Sequence, residues 1–338
     1  MATIRDVAKK AGVSIATVSR VINNKGKIKK ETEELVQAAI KELAYTPNRV
    51  AQGLSNRRSY TVAFILPSIN NPFFPEMARA VEDVAQANGY QVFLCNTDDK
   101  REKLLGYLDN LGTQYVDGII LNSHITKHED LERLQQNNVS VVMMDRVLEN
   151  SGTTSIMVKN REGGRMAAQH LVDVGCEYIA HIGGLEDEYN STQRMWGYRD
   201  VVGHKSWFDS SWIGRGDFSV RSGYQIAKEL LTRHPQMDGI FAGNDLLAIG
   251  ALKAAHEWGK QTPNELAIVG FDGIDMSGLT VPPITTIQQP IYRIGELAMT
   301  ELLHRIENNV KTTKHYELDV ELVIRESSMK SNKWSVNN

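Results

Sequence analysis

Amides, carboxylates, an arginine and a pair of aromatic rings recur at one kind of place in this 338-residue chain, directly after an apolar, strand-like run. Asn71, Pro72, Phe73 and Phe74 follow Thr61–Leu66, and Asn122 follows Gly118–Leu121. Asp145 and Arg146 follow Val139–Met144, Asn244 and Asp245 follow Gly239–Ala242, and Asp272 follows Leu266–Val269. Carboxylates accept from O–H groups, carboxamides donate and accept, and a guanidinium donates in a fixed fork. Aromatic faces cover the C–H faces of a sugar ring. Singly, each residue reads as a cap or loop residue. As a set at strand ends they favour a pocket for a hydroxyl-rich small molecule.

A second chemistry lies near the N-terminus. Ser14, Ile15, Ala16, Thr17, Ser19 and Arg20 occupy the start and outer surface of a short predicted helix whose inner side is Val18, Val21 and Ile22. A helix entering the major groove puts its first residues against base edges. Arg20 has the fork that matches guanine O6 and N7, and Ile15 and Ala16 suit a thymine methyl or a close approach. The hydroxyls of Ser14, Thr17 and Ser19 suit phosphates. The competing reading is a helical bundle without a ligand, and charge counts against it. Residues 1–58 hold twelve Lys/Arg and five Asp/Glu, a charge of +7, which leaves −10 on the rest of the chain. A basic head on an acidic body points to a polyanion at one end.

The elements that must position these groups are legible in part. Thr3 and Asp6 have capping-box spacing, Ile4, Val7, Ala8 and Ala11 recur at helical period, and Gly12 is a stop signal. Ser14 caps the next helix. Helix, short glycine-containing turn and helix is the helix-turn-helix pattern. A third helix is predicted over Glu31–Leu43, with Leu35, Val36, Ala39, Ile40 and Leu43 inward. Pro47 then opens a short helix that contains Gly53 and is marginal by itself. From Tyr60 strands alternate with helices over Pro75–Ala87, Arg161–Val174, Val220–Leu231 and Leu246–Trp258, the signature of parallel, doubly wound sheets. Ligands of such sheets bind at the carboxyl ends of the strands. The expected fold is an all-α helix-turn-helix head (1–45), a hinge helix and linker (46–59), an α/β body of two doubly wound lobes (60–330) that also dimerises, and a tail (331–338).

No apolar run approaches the roughly 20 residues that span a bilayer. The first residues carry no signal-peptide core. Cys95 and Cys176 lack metal-ligand spacing and read as buried thiols of a reducing compartment. The expectation is a cytoplasmic protein with no membrane association, metal or cofactor. A Walker loop, a dinucleotide fingerprint after a strand, a nucleophile elbow and a zinc signature are lacking, which weighs against a sugar-processing enzyme even though Asp145 and Asp272 have acid–base chemistry.

From Thr3 to Leu54 the chain resembles the DNA-binding head of the LacI/GalR repressor family. Ile4-Arg5-Asp6-Val7-Ala8, Ala11-Gly12-Val13-Ser14, Thr17-Val18-Ser19-Arg20-Val21 and Tyr45-Thr46-Pro47-Asn48 carry the likeness. It implies that Ile15, Ala16 and Arg20 read bases. Thr3, Asn23, Lys27 and Asn48 join the DNA-contacting set. It also implies that the hinge helix folds on DNA and places Leu54, with Ala51 nearby, in the minor groove of a near-palindromic operator. The body is similar to periplasmic sugar-binding proteins and to the effector domains of the same family, and its motifs look most like those of ribose binders. On that likeness Asn71, Phe73, Phe74, Asn122, Asp145, Arg146 and Arg194 contact the sugar, with Phe218, Asn244, Asp272 and Gln289 completing the set. A homodimer and release from the operator by sugar, with ribose favoured, are what the resemblance implies. A regulator of the same fold that uses a phosphorylated carrier protein as co-repressor is the alternative; a purine-responsive repressor fits Asn71-Pro72-Phe73-Phe74 less well.

Two stretches depart from the pattern. Lys29 stands where relatives cap the third helix with Ser or Thr, and Glu33 stands at a usually basic position. Between Tyr198 and Gly216 the chain is shorter than usual, so a truncated helix and a reworked loop before Phe218 are expected. The tail lacks heptad leucines, in keeping with a dimer.

Overall fold

A computed structural model describes residues 2–22, 28–45, 58–113, 116–308 and 312–330. The chain divides into two compact units, residues 1–59 and residues 60–338.

In the first unit, α1 (Ile4–Ala11), α2 (Ile15–Ile22) and α3 (Lys30–Glu42) close on Val7, Val18, Val21, Val36 and Ala39. The Asp6 N–H donates to Thr3 Oγ1 at 3.4 Å and the Thr3 N–H donates to Asp6 Oδ2 at 2.8 Å, a complete capping box. Gly12 ends α1 at φ +66°, a conformation cheap only for glycine. The Thr17 N–H donates to Ser14 Oγ at 3.1 Å and starts α2. Lys29 precedes α3 without a side-chain cap bond. One expected core position is corrected. Leu35 is 57% exposed, because so small a unit buries only the narrow stripe of Val36 and Ala39, and Leu35 lies about 100° round the helix from Val36.

The body holds two six-stranded sheets. The first has the order β11-β5-β4-β3-β1-β2, all parallel: β1 (Thr61–Leu66), β2 (Gln91–Asn96), β3 (Gly118–Asn122), β4 (Ser140–Met144), β5 (Thr154–Val158) and β11 (His315–Leu318). The second has the order β12-β10-β9-β8-β6-β7: β6 (Ile179–Gly183), β7 (Ile213–Arg215), β8 (Gly239–Ala242), β9 (Ala267–Asp272), β10 (Thr285–Gln288) and β12 (Glu321–Val323). Only β12 runs antiparallel there. Central strands are apolar throughout because both faces are covered. In the first sheet Val62, Phe64, Leu66 and Ile120 join one core, while Ala63, Ile65, Ile119 and Leu121 join the other.

The chain passes between the lobes near Lys159, Gln289 and Asp319. Lys159 and Asp319 are ion-paired at 2.6 Å, tying two of these crossings together. Cys95 and Cys176 are buried and not joined in a disulfide, and the Cys176 thiol donates to the Asp238 carbonyl at 3.3 Å. Among the described residues no helix is long and apolar enough to cross a membrane.

Candidate functional site

In the head, Ser14, Ile15, Ala16 and Arg20 are exposed on one end and flank of α2, while Thr17 and Ser19 are half-buried. Ile15, at 46% exposure, has no packing reason to be apolar. Thr3 and Ser14 are partly occupied: Thr3 Oγ1 donates to Asp6 at 2.7 Å, and Ser14 Oγ lies 2.9 Å from Thr17 Oγ1. Both hydroxyls hold their helices as caps and retain one further hydrogen-bonding capacity. Asn23, Lys27, Asn48, Ala51 and Leu54 fall outside the described residues.

In the body, all eleven candidate ligand residues line one cleft of about 1060 Å³ between the lobes. Asn71, Phe73, Phe74, Asn122, Asp145 and Arg146 come from the first lobe; Arg194, Phe218, Asn244 and Asp272 come from the second; Gln289 lies at a crossing. The two sheets' carboxyl ends face this space, so residues ending or following strands converge there.

A polar chain runs along the floor. Asn122 Nδ2 donates to Asp145 Oδ2 at 2.5 Å, and Asn190 helps hold the Asp145 carboxyl down against burial. Asn160 Nδ2 donates to Asn190 Oδ1 at 3.0 Å, and Arg194 Nε donates to Asn160 Oδ1 at 2.8 Å. Arg194 Nη1 donates to the Gly243 carbonyl at 2.6 Å and lies 3.4 Å from Asp272 Oδ1. Gln289 Nε2 donates to the same Asp272 oxygen at 2.7 Å. The Gln289 Oε1 is buried without a hydrogen-bond partner among the described residues, a polar atom left for a ligand or water. The Arg194 guanidinium stacks 3.7 Å from the centre of the Phe271 ring.

Burial raises the Asp145 carboxyl, opposed by Asn122 and Arg194. Burial pushes Asp272 up to about 6, opposed by Arg194 and Gln289. Three candidates stand in the left-handed region: Asp145 at φ +66°, Phe218 at +61° and Asp272 at +104°. Such conformations cost about 1–3 kcal/mol each and gather at ligand clamps.

Neighbours set this geometry. Arg194 is on α8 (Tyr189–Val202), which packs on α7 (Asn160–Asp173) with almost no gap: a Cβ on Gly164 would sit 2.2 Å from the Arg194 carbonyl oxygen. The Phe218 ring lies on Gly184, where a Cβ would come within 2.1 Å of it. Asp245 is no ligand candidate. It is fully buried and accepts from Gly273 N at 2.9 Å, Ile274 N at 2.8 Å and Thr286 Oγ1 at 2.6 Å, fixing the turn that carries Asp272. Burial and the nearby Asp272 push Asp245 up to about 7.

Some candidates carry a second duty. Asn71 Oδ1 accepts from Phe73 N at 3.1 Å and fixes the turn that leads into the next helix, while Asn244 Oδ1 accepts from Leu247 N at 2.8 Å as a helix N-cap. Phe73 is 4% exposed and belongs to the core, meeting Phe74 edge-on at 5.2 Å. Arg146 Nη1 is bonded to the carbonyls of His124 and Thr126. In the shortened stretch, α8 continues to Val202, and the loop beyond it closes on Trp207, Phe208 and Trp212, with Trp212 stacked 3.9 Å from His234. The same cleft is lined by Asp99, His124, Glu188 and Asn190, which sequence reasoning passed over. Asp99 and His124 follow β2 and β3, so the strand-end rule could have found them. Glu188 sits before a helix in an acidic run that reads as solvated loop.

A three-helix head with an exposed groove-sized helix face, joined in one chain to a two-lobed body with a polar cleft, is the architecture of a DNA-binding regulator with a small-molecule sensor. Residues 3–48 match the model of bacterial regulatory proteins of the lacI family, and residues 59–326 match that of periplasmic binding proteins and the sugar-binding domain of the LacI family. The chain belongs to the LacI family. It is 44% identical to the ribose operon repressor of Halalkalibacterium halodurans over 97% of each chain. The lac repressor dimer bound to operator and the anti-inducer ONPF superposes with a TM-score of 0.85, at 28% identity over 97% of this chain and 99% of that one. A LacI family regulator from Enterococcus faecium with bound ribose superposes with a TM-score of 0.72, at 29% identity over 79% of this chain and 98% of that one.

Proposed function

We propose that this chain is a dimeric repressor of a sugar-utilisation operon that leaves its operator when ribose closes the cleft. The observation that carries this is the convergence of amides, carboxylates, arginines and three phenylalanines on a single cleft of about 1060 Å³. Asn122, Asp145, Asn190, Arg194, Asp272 and Gln289 present acceptors and donors in the mixture a polyol needs, and Phe74 and Phe218 supply faces for its C–H groups. The 44% identical relative named a ribose operon repressor and the ribose-bound regulator of similar structure support the choice of sugar.

On this reading residues 1–45 read DNA, with Ile15, Ala16 and Arg20 at base edges and Thr3, Ser14, Thr17, Ser19, Asn23 and Lys27 at phosphates. The hinge, residues 46–59, folds on DNA with Asn48, Ala51 and Leu54 toward the minor groove. The body, residues 60–330, binds sugar and pairs the protomers, and residues 331–338 are a tail. Coupling equals the sugar's differential affinity for the two states, typically about 1–3 kcal/mol. The protein acts in the cytoplasm by binding alone, without catalysis or a cofactor.

The test has two arms. Selection from randomised near-palindromic duplexes yields a preferred operator, and fluorescence anisotropy then reads its release on adding ribose. A thermal-shift screen of pentoses and hexoses reads the cleft directly. An operator held equally with and without every sugar that binds would overturn release by sugar.

A further inference from the structure

His124 and Glu188 line the cleft from opposite lobes. His124 lies in the loop after β3, which two guanidinia hold by its backbone: Arg101 Nη1 donates to the Ile125 carbonyl at 3.3 Å, and Arg146 Nη1 bonds the carbonyls of His124 and Thr126. The His124 ring is therefore placed independently of any ligand. Its Nδ1 is 3.3 Å from Asp99 Oδ1. Glu188 immediately precedes α8 on the second lobe. Its N–H donates to the Leu185 carbonyl and its own carbonyl accepts from the Thr192 N–H, while its carboxylate, among the described residues, makes no hydrogen bond and feels His124 and Arg194 only through their charge. This half-buried carboxylate has no hydrogen-bond or ion-pair partner among the described residues, and the opposite lobe brings to the same cleft a histidine already held by an acid.

Resting on the reading of the cleft as a sugar site, we infer that His124 and Glu188 are positioning residues: closure of the lobes seats protonated His124 between Asp99 and Glu188, so that sugar binding takes up a proton. The groups facing the pair set the sign. Asp99 beside His124, and Glu188 across the gap, raise its proton affinity, while Arg146 lowers it. Burial pushes Glu188 up to about 7, against the pull of His124 and Arg194 and with the push of Asp99 and Asp145. Asp98 and Asp187 extend the acidic lining on either side. Each charge favours the other, His124 pulling Glu188 down and Glu188 raising the proton affinity of His124, so shortening their separation favours the singly protonated pair. By linkage the closed state is favoured where the pair holds a single proton, and sugar affinity declines as alkali removes that proton, by about tenfold for each unit by which closure raises the proton affinity of His124.

The full-length protein tests this in two measurements. In an NMR titration the His124 ring resonance is the one absent from His124→Gln. Its midpoint should lie above that of an ordinary histidine, fall in Glu188→Gln, and rise further on saturation with ribose. Calorimetry should show ribose affinity dropping about tenfold from roughly pH 6.5 to roughly pH 8.5 in the parent protein. Glu188→Asp should keep that alkaline loss, and Glu188→Gln should abolish it while remaining folded by circular dichroism. A midpoint indifferent to Glu188→Gln, or the same alkaline loss in all variants, would overturn the pair. A Glu188-dependent midpoint in a protein that binds no sugar would support the cross-cleft pair and remove the sugar from the cleft.

Discussion

The Nη1 of Arg194 lies 3.4 Å from Oδ1 of Asp272, and both side chains are more than nine-tenths buried. Arg194 also holds Asn160 and the Gly243 carbonyl, so it is the residue through which the floor of the cleft is joined. Removing one member of such a buried pair leaves the other uncompensated, which costs about 3–5 kcal/mol. Arg194→Met should therefore lose stability on that scale in urea denaturation. Asp272 is already raised toward 6 by burial, against an unfolded value near 3.8. A carboxyl raised in the folded state contributes stability that is full below about pH 4 and is lost as pH rises through about 6. Without Arg194 that rise steepens, so Arg194→Met should be hurt more at pH 8 than at pH 5, and adding Asp272→Asn should recover part of the loss. Equal losses at both pH values would show that Asp272 does not feel Arg194.

Phe73 and Phe74 are neighbours in sequence and differ in duty. Phe73 is 4% exposed in the inter-lobe core, whereas Phe74 is only partly buried, so the pair divides packing from ligand contact. Phe73→Ala should cost about 3–5 kcal/mol of folding free energy. Phe74→Ala should cost clearly less while weakening ribose binding by an order of magnitude or more. Urea midpoints and calorimetric affinities of the two variants check this, and a reversed pattern would exchange the roles.

What the sequence disclosed follows from range. Thr3, Asp6, Gly12 and Ser14 act on neighbours three to five residues away, so their spacing was enough to place two helices. Strands flanked by helices put Asn122, Asp145 and Asp272 at carboxyl ends, and that rule alone gathers them at one opening. The rest depends on partners far along the chain. Asn160 joins Asn190 and Arg194 from 30 and 34 residues away, and Asp245 is held by a hydroxyl 41 residues on. No local pattern announces such bonds. Leu35 fails for the converse reason: helical period suggested an inward face wider than three short helices can cover.

Arg20 is exposed on α2 and forms no ion pair among the described residues, so its guanidinium is available to a base. Arg20→Ala should cost about 1–3 kcal/mol in binding the preferred operator and relax the preference at one base pair in each half-site. The salt dependence of binding separates this from a phosphate contact, whose loss weakens all duplexes alike and lowers the salt slope by about one. A uniform loss with the preference intact would move Arg20 from the bases to the backbone.

The cleft should prefer an uncharged sugar to its phosphate ester. Seven carboxyl groups line it, from Asp98, Asp99, Asp145, Asp187, Glu188, Asp217 and Asp272, of which burial raises Asp145, Glu188 and Asp272, against the guanidinia of Arg146 and Arg194 and the ring of His124. Both guanidinia are engaged within the protein, Arg194 by Asn160, Gly243 and Asp272, and Arg146 by two backbone carbonyls. A phosphate brought to about 8 Å from one unpaired carboxylate costs about 2 kcal/mol per unit charge at an effective dielectric of 20, roughly thirtyfold in affinity. Ribose 5-phosphate should therefore bind at least about thirtyfold more weakly than ribose in calorimetry at low salt. The gap should narrow as salt screens the exposed members of the set and as Glu188 is made neutral by Glu188→Gln. Equal affinities for the two sugars would mean that Arg146 or Arg194 leaves its present partners to take a phosphate.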